Sequence, residues 1–125
     1  MNIPDDRRYT DQHEWVQLDG DTARIGITDY AQDALGDVVF VDLPEVNIQV
    51  ATGDTLAEVE STKSVAEVYA PLAGTVVEVN TALADAPEAI NTDPYGAAWF
   101  VAIRVDDPAA VAGMLDAAVY EALIT

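Results

Sequence analysis

The stretch Glu60-Ser61-Thr62-Lys63-Ser64-Val65 separates two runs that alternate apolar and polar residues. The runs cover residues 54–60 and 64–71, both contain β-branched side chains, and neither has a helical period. The residues between them are small and hydroxylated, which suits a turn. The pattern predicts a β-hairpin with Lys63 at or near its tip.

Lys63 stands out because it is the only lysine among 125 residues. The other basic residues are four arginines, against 23 acidic residues, and the formal net charge is −18. An ammonium group held out on a rigid turn is accessible to a modifying enzyme. We therefore interpret Lys63 as a handle for covalent modification.

The composition excludes several kinds of site and partner. The chain has no cysteine and a single histidine, His13, which excludes disulfides, thiolate sites and metal sites built from several histidines. The negative charge argues against binding to nucleic acid or to an anionic membrane, because both need clustered lysine and arginine. No apolar run has the length of a membrane span, and residues 1–8 lack the apolar core of a signal peptide. We expect one domain, residues 1–125, in the cytoplasm.

The acidic residues are spread along the chain and are not gathered in a tail. A dispersed charge of this size destabilises a compact state by self-repulsion unless salt screens it. The near-absence of lysine among so many carboxylates leads to the hypothesis of a very salty cytoplasm. The alternative is an ordinary acidic protein with a solvated surface.

The remaining sequence predicts mostly strands, with helices at a few points. Strands are predicted over residues 14–18, 22–27, 37–43, 75–79 and 98–105, with a weaker extended segment over residues 45–51. A short helix is predicted over residues 28–36, with Thr28 as its N-cap and Gly36 just past its end. Asn80 and Asp107 are further candidate N-caps, and Asp116 begins a second helix near the C-terminus.

A set of short motifs lies in a characteristic order along nearly the whole chain. The motifs are His13-Glu14-Trp15, Gly26-Ile27-Thr28-Asp29-Tyr30-Ala31-Gln32, Leu35-Gly36-Asp37-Val38-Val39-Phe40-Val41, Leu43-Pro44, Glu60-Ser61-Thr62-Lys63, Tyr69-Ala70-Pro71, Gly74, Glu78-Val79-Asn80 and Pro94-Tyr95-Gly96 with Trp99. Together they resemble the H-protein family of the glycine cleavage system, whose members are lipoyl-bearing carriers. The resemblance covers residues 9–124.

The resemblance implies a mainly β fold, a lipoyl-type barrel-sandwich hybrid of two antiparallel sheets with short flanking helices and a C-terminal helix. It implies that Lys63 carries lipoate in amide linkage, attached by a lipoate ligase or lipoyl transferase. The arm would accept the aminomethyl group of glycine from the pyridoxal-phosphate glycine decarboxylase (P protein). It would pass that group to the tetrahydrofolate-dependent aminomethyl transferase (T protein), and dihydrolipoyl dehydrogenase (L protein) would reoxidise the arm. The chain itself is expected to be a monomeric carrier and not an enzyme.

The resemblance also implies a cleft that shields the protonated amine of a loaded arm. The matching positions in this chain are Glu14 and Glu67, with Gln12 beside them. The family commonly has aspartate where Glu67 stands, and a smaller hydroxyl residue where Gln12 stands. A carboxylate in such a cleft would pair with the ammonium group and keep water from the adduct.

His13 is expected to pack beside Trp15 and fix the entry to the first long strand, because the family's chemistry is done by the partner enzymes. The aromatic residues expected in the core or at an interface are Trp15, Tyr30, Phe40 and Trp99. The glycines expected to serve backbone geometry are Gly26, Gly36 and Gly74.

Several other classes of protein compete with this interpretation. A biotin carrier also modifies a hairpin lysine, but its lysine usually lies between methionines, whereas Thr62 and Ser64 flank Lys63. A lipoyl domain of a 2-oxoacid dehydrogenase lacks the His13-Glu14-Trp15 start and is normally tethered by a linker. A lipoyl-relay protein, which donates lipoate to other proteins, shares the scaffold and stays open as the alternative. An unmodified acidic interaction module is the remaining class, and no nucleophile–base or metal arrangement favours an enzyme.

Overall fold

The computed structural model describes every residue of the chain, Met1–Thr125. The strands are β1 (Arg8–Tyr9), β2 (Glu14–Asp19), β3 (Thr22–Ile27), β4 (Val38–Asp42), β5 (Gln49–Val50), β6 (Thr55–Ser61), β7 (Val65–Tyr69), β8 (Gly74–Val79) and β9 (Val101–Val105). The helices are α1 (Asp29–Leu35), α2 (Thr81–Asp85), α3 (Ala89–Thr92) and α4 (Ala117–Ile124), and a 3₁₀ helix covers Pro108–Gly113. No helix is long and apolar enough to cross a membrane.

The strands form two sheets. The larger has six strands in the order β1-β2-β3-β9-β8-β5, and the smaller has three in the order β4-β6-β7. Every strand pair is antiparallel. The predicted mainly β fold of two antiparallel sheets, with short helices and a C-terminal helix, is confirmed.

The core lies where the inner faces of the sheets meet. Alternation along each strand sends one set of side chains inward, and a cluster of 23 buried residues results. Ile25, Val59, Val76 and Ile103 are fully buried members of it. The alternation that predicted the strands therefore also supplies the core that holds the sheets together.

A second, aromatic cluster joins the N-terminal strand to the C-terminal helix. Tyr9, Trp15 and Tyr120 are its buried members, and the rings of Tyr9 and Tyr120 stack with centroids 4.7 Å apart. Paired backbone bonds of 2.8 and 3.0 Å between Tyr9 and Leu115 fix the approach to α4. α4 is consequently anchored against β1 and β2, and this places Tyr120 close to His13.

The predicted helix after β3 is confirmed as α1. The Thr28 hydroxyl accepts a hydrogen bond from the Ala31 N–H at 3.2 Å, as an N-cap does. Gly36 ends the helix at a φ of +80°, a conformation that favours glycine, and its N–H donates to the Gln32 carbonyl. β4 begins two residues later, so α1 leads directly to the smaller sheet.

Phe40, expected in the core or at an interface, does not lie in the core, because a β-bulge reverses its direction. Val38 pairs with Ser61 and Phe40 with Glu60, so β4 advances two residues while β6 advances one. Val38 and Val41 consequently face inward, and Phe40 is 51% exposed. The bulge therefore presents an aromatic side chain on the outer face of the smaller sheet.

Two predicted N-caps do not act as caps. The side chain of Asn80 makes no capping bond to α2 and instead donates to the carbonyls of Ala97 and Trp99, at 2.8 and 2.7 Å. Asp107 makes no capping bond either, and the segment after it is the 3₁₀ helix. Asp116, in contrast, caps α4 by accepting from the Val119 N–H at 2.9 Å.

Candidate functional site

The turn that carries Lys63 is held by its own side chains and by β4. The last paired residues of β6 and β7 are Glu60 and Val65, so residues 61–64 form the turn. The Ser61 N–H donates to the Ser64 carbonyl at 2.8 Å, and Ser61 Oγ accepts from the N–H groups of Ser64 and Lys63, at 3.1 and 3.3 Å. The Thr62 N–H donates to the Asp37 carbonyl at 3.0 Å. The predicted hairpin tip is confirmed, and these hydrogen bonds hold the backbone of the turn in one conformation.

The side chain of Lys63 is exposed and carries no ion pair, since the one salt bridge of the structure joins Arg7 to Asp6. Its methylene chain crosses Gly36, where an added Cβ would stand 3.3 Å from Lys63 Cε. Glycine at this position therefore gives the helix its end and also leaves room for the lysine.

An apolar cleft of about 300 Å³ opens beside the lysine turn. β2, β3, α1, β6 and β7 contribute residues to its walls, and it reaches Ser64, the residue after Lys63. Gln12, Glu14 and Glu67 all line this cleft, so the structure brings the three predicted residues together. Their roles toward a bound group stay predictions.

Glu14 is the buried carboxylate of the cleft. It is 2% exposed, and it accepts hydrogen bonds from the Thr10 hydroxyl at 2.7 Å and from the Tyr69 N–H at 3.3 Å. It has no cationic partner, and burial raises its pKa above the ordinary value. A buried carboxylate without a counter-ion favours any cation that enters beside it.

Glu67 and Gln12 lie at the rim of the cleft, where both are exposed. The Tyr69 hydroxyl donates to Glu67 Oε2 at 3.0 Å, and this hydrogen bond raises the pKa of Tyr69. The arrangement places one carboxylate inside the cleft, at Glu14, and one at its mouth, at Glu67.

The prediction that His13 packs beside Trp15 is wrong. The His13 ring lies 4.6 Å from the ring of Tyr30, and its Nδ1 is 2.8 Å from the hydroxyl of Tyr120. His13 has a φ of +67° and lines the cleft. The unusual backbone conformation turns the ring toward α1 and α4, away from Trp15.

A chain of hydrogen bonds fixes the protonation of His13. Thr28 is fully buried, and its hydroxyl, which already accepts from Ala31, lies 2.8 Å from the Tyr120 oxygen. Since that buried hydroxyl proton needs an acceptor, Thr28 donates to Tyr120, and Tyr120 donates to Nδ1 of His13. The neutral ring therefore carries its proton on Nε2, and burial lowers the pKa of His13.

Sequence reasoning missed Asn91, which fixes the segment beneath Lys63. Its Nδ2 donates to the Gly36 carbonyl at 2.9 Å and to Gln32 Oε1 at 3.0 Å, and its Oδ1 accepts from the Val38 N–H at 2.9 Å. It also missed Tyr120 as a neighbour of the cleft. No local signal marks Asn91, whereas Tyr120 is the only aromatic residue of α4.

A sequence model of the glycine cleavage H-protein family matches residues 7–125. The chain belongs to this family. The glycine cleavage system H protein of Geobacillus kaustophilus is 52% identical over 124 residues, which cover 99% of this chain and 98% of that protein. The H protein of Mycolicibacterium smegmatis is 55% identical over 127 residues, covering 98% and 97%.

The fold agrees with an H protein of known structure. The crystal structure of a glycine cleavage system H protein from Mycobacterium marinum matches with a TM-score of 0.88 and 47% sequence identity, over 96% of this chain and 97% of that one. Membership of the H-protein family makes the chain a carrier component of the glycine cleavage system. In this family member, Ser64 lies next to the exposed lysine and also lines the apolar cleft that holds Glu14.

Proposed function

We propose that Lys63 carries lipoate in amide linkage, and that the chain shuttles the aminomethyl group of glycine on that arm. The observation that supports the proposal is that an exposed lysine without an ion pair lies next to Ser64, which lines a cleft holding a buried carboxylate without a counter-ion. A carrier needs a rigid mount for a mobile arm and a shelter for its load, and this site supplies both.

The residues present fit a lipoyl-lysine. The Lys63 amine is free of ion pairs, and its small neighbours Thr62 and Ser64 are exposed. The cleft beside it has mainly apolar walls, including Ile27, Leu35 and Val59, which suit a hydrocarbon chain. When bound, lipoate supplies the disulfide and dithiol chemistry that this chain, which has no cysteine, lacks.

The chain's own residues bind and shelter the load. Glu14 offers a buried carboxylate to the protonated amine that the carrier transports, and Glu67 and Gln12 offer polar groups at the rim. Thr10 and the Tyr69 N–H hold the Glu14 carboxylate in place. The apolar walls limit the access of water to the labile group.

The partners in this proposal are four kinds of enzyme. They are the glycine decarboxylase (P protein), the aminomethyl transferase (T protein), dihydrolipoyl dehydrogenase (L protein) and a lipoate ligase or lipoyl transferase. The carrier works as a monomer of one domain, residues 1–125, in a cytoplasm whose salt screens its negative charge. A monomer leaves the single lysine open to each enzyme in turn. Chemistry is done by the partners.

Intact mass of the protein from its native cells, with Lys63→Arg alongside, tests the attachment. We expect one addition of lipoyl mass in the wild-type protein and none in the variant, which keeps the positive charge. A biotin-sized addition would assign the protein to the carboxylase carriers. An unmodified chain, in cells that lipoylate other proteins, contradicts the proposal.

A glycine decarboxylation assay with purified partners separates the carrier from a lipoyl relay. We expect the lipoylated protein to support release of carbon dioxide from glycine, and Glu14→Gln to weaken that support, because the amide lacks the negative charge. A lipoylated protein that passes lipoate to other proteins and supports no glycine cleavage is a relay.

A further inference from the structure

The outer face of the smaller sheet carries exposed apolar side chains next to the lysine turn. Phe40 of β4 pairs with Glu60 of β6, which pairs with Val65 of β7, so these three side chains share one face. Phe40 is 51% exposed, Val65 is 59% exposed, and Val39 at the bulge is 55% exposed. We call Val39, Phe40 and Val65 the apolar patch. Exposed apolar groups that cluster in this way typically mark an interaction surface.

A row of carboxylates borders the apolar patch on the same face. Asp42 pairs with Glu58, and Glu58 pairs with Glu67, so three like charges lie side by side across the sheet. None of them is in a salt bridge, since the one salt bridge joins Arg7 to Asp6. Like charges directly opposite each other destabilise a sheet, so fold stability gives no reason for the row. A partner that covers this face with basic side chains would neutralise it.

We infer that the apolar patch is the docking surface for the enzyme that acylates Lys63, and that this enzyme presents an apolar pocket rimmed by lysine and arginine. The inference rests on the proposed function. The enzyme that forms the amide must reach the amine itself, which is only four methylenes from the backbone, so it has to contact the residues around the turn. Enzymes that act on the far end of a finished arm can stay further away.

The acylation step needs the turn to enter an active site. The neutral amine of Lys63 attacks the carbonyl carbon of lipoyl adenylate, the amide C–N bond forms as the bond from the carbonyl carbon to the phosphate oxygen breaks, AMP leaves, and the amine loses one proton to solvent. The hydrogen bonds within residues 61–64, and from Thr62 to Asp37, hold the backbone of the lysine turn in a fixed place relative to β4, which carries Phe40. A rigid tip with an apolar contact beside it lets the enzyme position the amine without ordering the chain.

The test measures kcat/KM for acylation of the unmodified full-length protein by a purified lipoate–protein ligase with lipoate and ATP, read by intact mass. We expect Phe40→Thr/Val65→Thr to lower kcat/KM about tenfold, because exposed apolar anchors carry much of the energy of an interface. The matched control is Val46→Thr, at a valine that is 48% exposed and lies past the far end of β4. It should leave kcat/KM within about twofold of wild type. Thermal unfolding of each variant confirms that the fold is kept.

A second pair of substitutions tests the charge of the partner. Asp42→Asn/Glu58→Gln should lower kcat/KM at low KCl and flatten its decrease with added KCl. Equal kcat/KM for wild type and Phe40→Thr/Val65→Thr overturns the docking inference alone. A salt dependence of kcat/KM that is unchanged in Asp42→Asn/Glu58→Gln overturns the inference that the enzyme has a basic rim. A wild-type protein that the ligase does not acylate overturns the proposed function and this inference with it.

Discussion

At the scale of single residues, the site depends on side chains whose local cost to stability is plain. Glu14 is a buried carboxylate with no counter-ion, Gly36 holds a positive φ beneath Lys63, and His13 is half-buried with its pKa lowered by burial. Glu14 and His13 line the cleft, and Gly36 lies beneath the Lys63 side chain. The effect of each on stability or titration can be measured. Sites of this kind commonly trade stability for function.

Glu14→Gln should change the pH dependence of stability. Burial raises the native pKa of Glu14 above its ordinary value of 4.5, so its contribution to stability is present below that value and is lost as pH rises through the native pKa. The amide does not titrate. The unfolding free energy of the variant, minus that of wild type, should therefore increase in urea titrations as pH rises from the ordinary value of 4.5 through the native pKa. A difference that stays constant with pH would contradict burial of an ionised Glu14.

Gly36→Ala should lower the free energy of unfolding by about 1–2 kcal/mol, because φ is +80° there. The control is Gly20→Ala, where φ is +67° and an added Cβ meets nothing within 4 Å. Both variants should lose similar stability in thermal unfolding. Only Gly36→Ala should shift the NMR signals of the Lys63 Cε methylene, because its Cβ would stand 3.3 Å from that atom. Identical Lys63 signals in both variants would show that the Lys63 side chain does not pack against Gly36.

At the scale of elements, α4 is connected to the cleft through one hydroxyl. Tyr120→Phe keeps the ring that stacks on Tyr9 but loses the bond to His13 Nδ1. We expect the pKa of His13 to rise and its Nδ1–H tautomer to gain population, measured by ¹⁵N NMR of the only imidazole in the chain. Tyr30→Phe is the control, since the Tyr30 ring faces His13 at 4.6 Å without a hydrogen bond between them.

Charged and polar groups around His13 shift its pKa in opposite directions. Asp11, beside His13, raises the pKa of the ring, and the carboxylates of Glu14 and Glu67 line the same cleft. Burial and the hydrogen bond from Tyr120 act in the opposite direction and favour the neutral ring. A lowered native pKa gives stability that is present above the ordinary value of 6.5 and is lost as pH falls through the native pKa. Tyr120→Phe should reduce that acid-side loss. An unchanged His13 titration would show that α4 does not act on the cleft.

The elements themselves were largely predictable, and the contacts between distant elements were not. Alternation located the strands around Lys63, and Thr28 and Gly36 bounded α1, because these signals are local. The outward turn of Phe40 depends on the register between β4 and β6, which no single strand encodes. The bond from His13 to Tyr120 spans 107 positions. The cleft residues came from the family resemblance, since two carboxylates among 23 acidic residues carry no signal of their own.

At the scale of the whole molecule, charge dominates. A net charge of −18 with one salt bridge leaves the folded state under self-repulsion. We expect the midpoint of thermal unfolding to rise with KCl up to about 1 M, where the Debye length is about 3 Å. Asp19→Lys/Glu121→Lys, at two exposed positions, should reduce the slope. Full stability in low salt would remove the hypothesis of a salty cytoplasm.

The single salt bridge between Arg7 and Asp6 also bears on how the carrier exchanges partners. Because almost no carboxylate has a cationic partner within the chain, mobile potassium or sodium ions from the solvent would gather at the surface. Each enzyme that docks with basic groups sets some of those ions free, so association gains entropy that shrinks as the surrounding ion concentration rises. A higher ion concentration would then weaken the electrostatic part of the association and shorten the time that the protein stays on each enzyme.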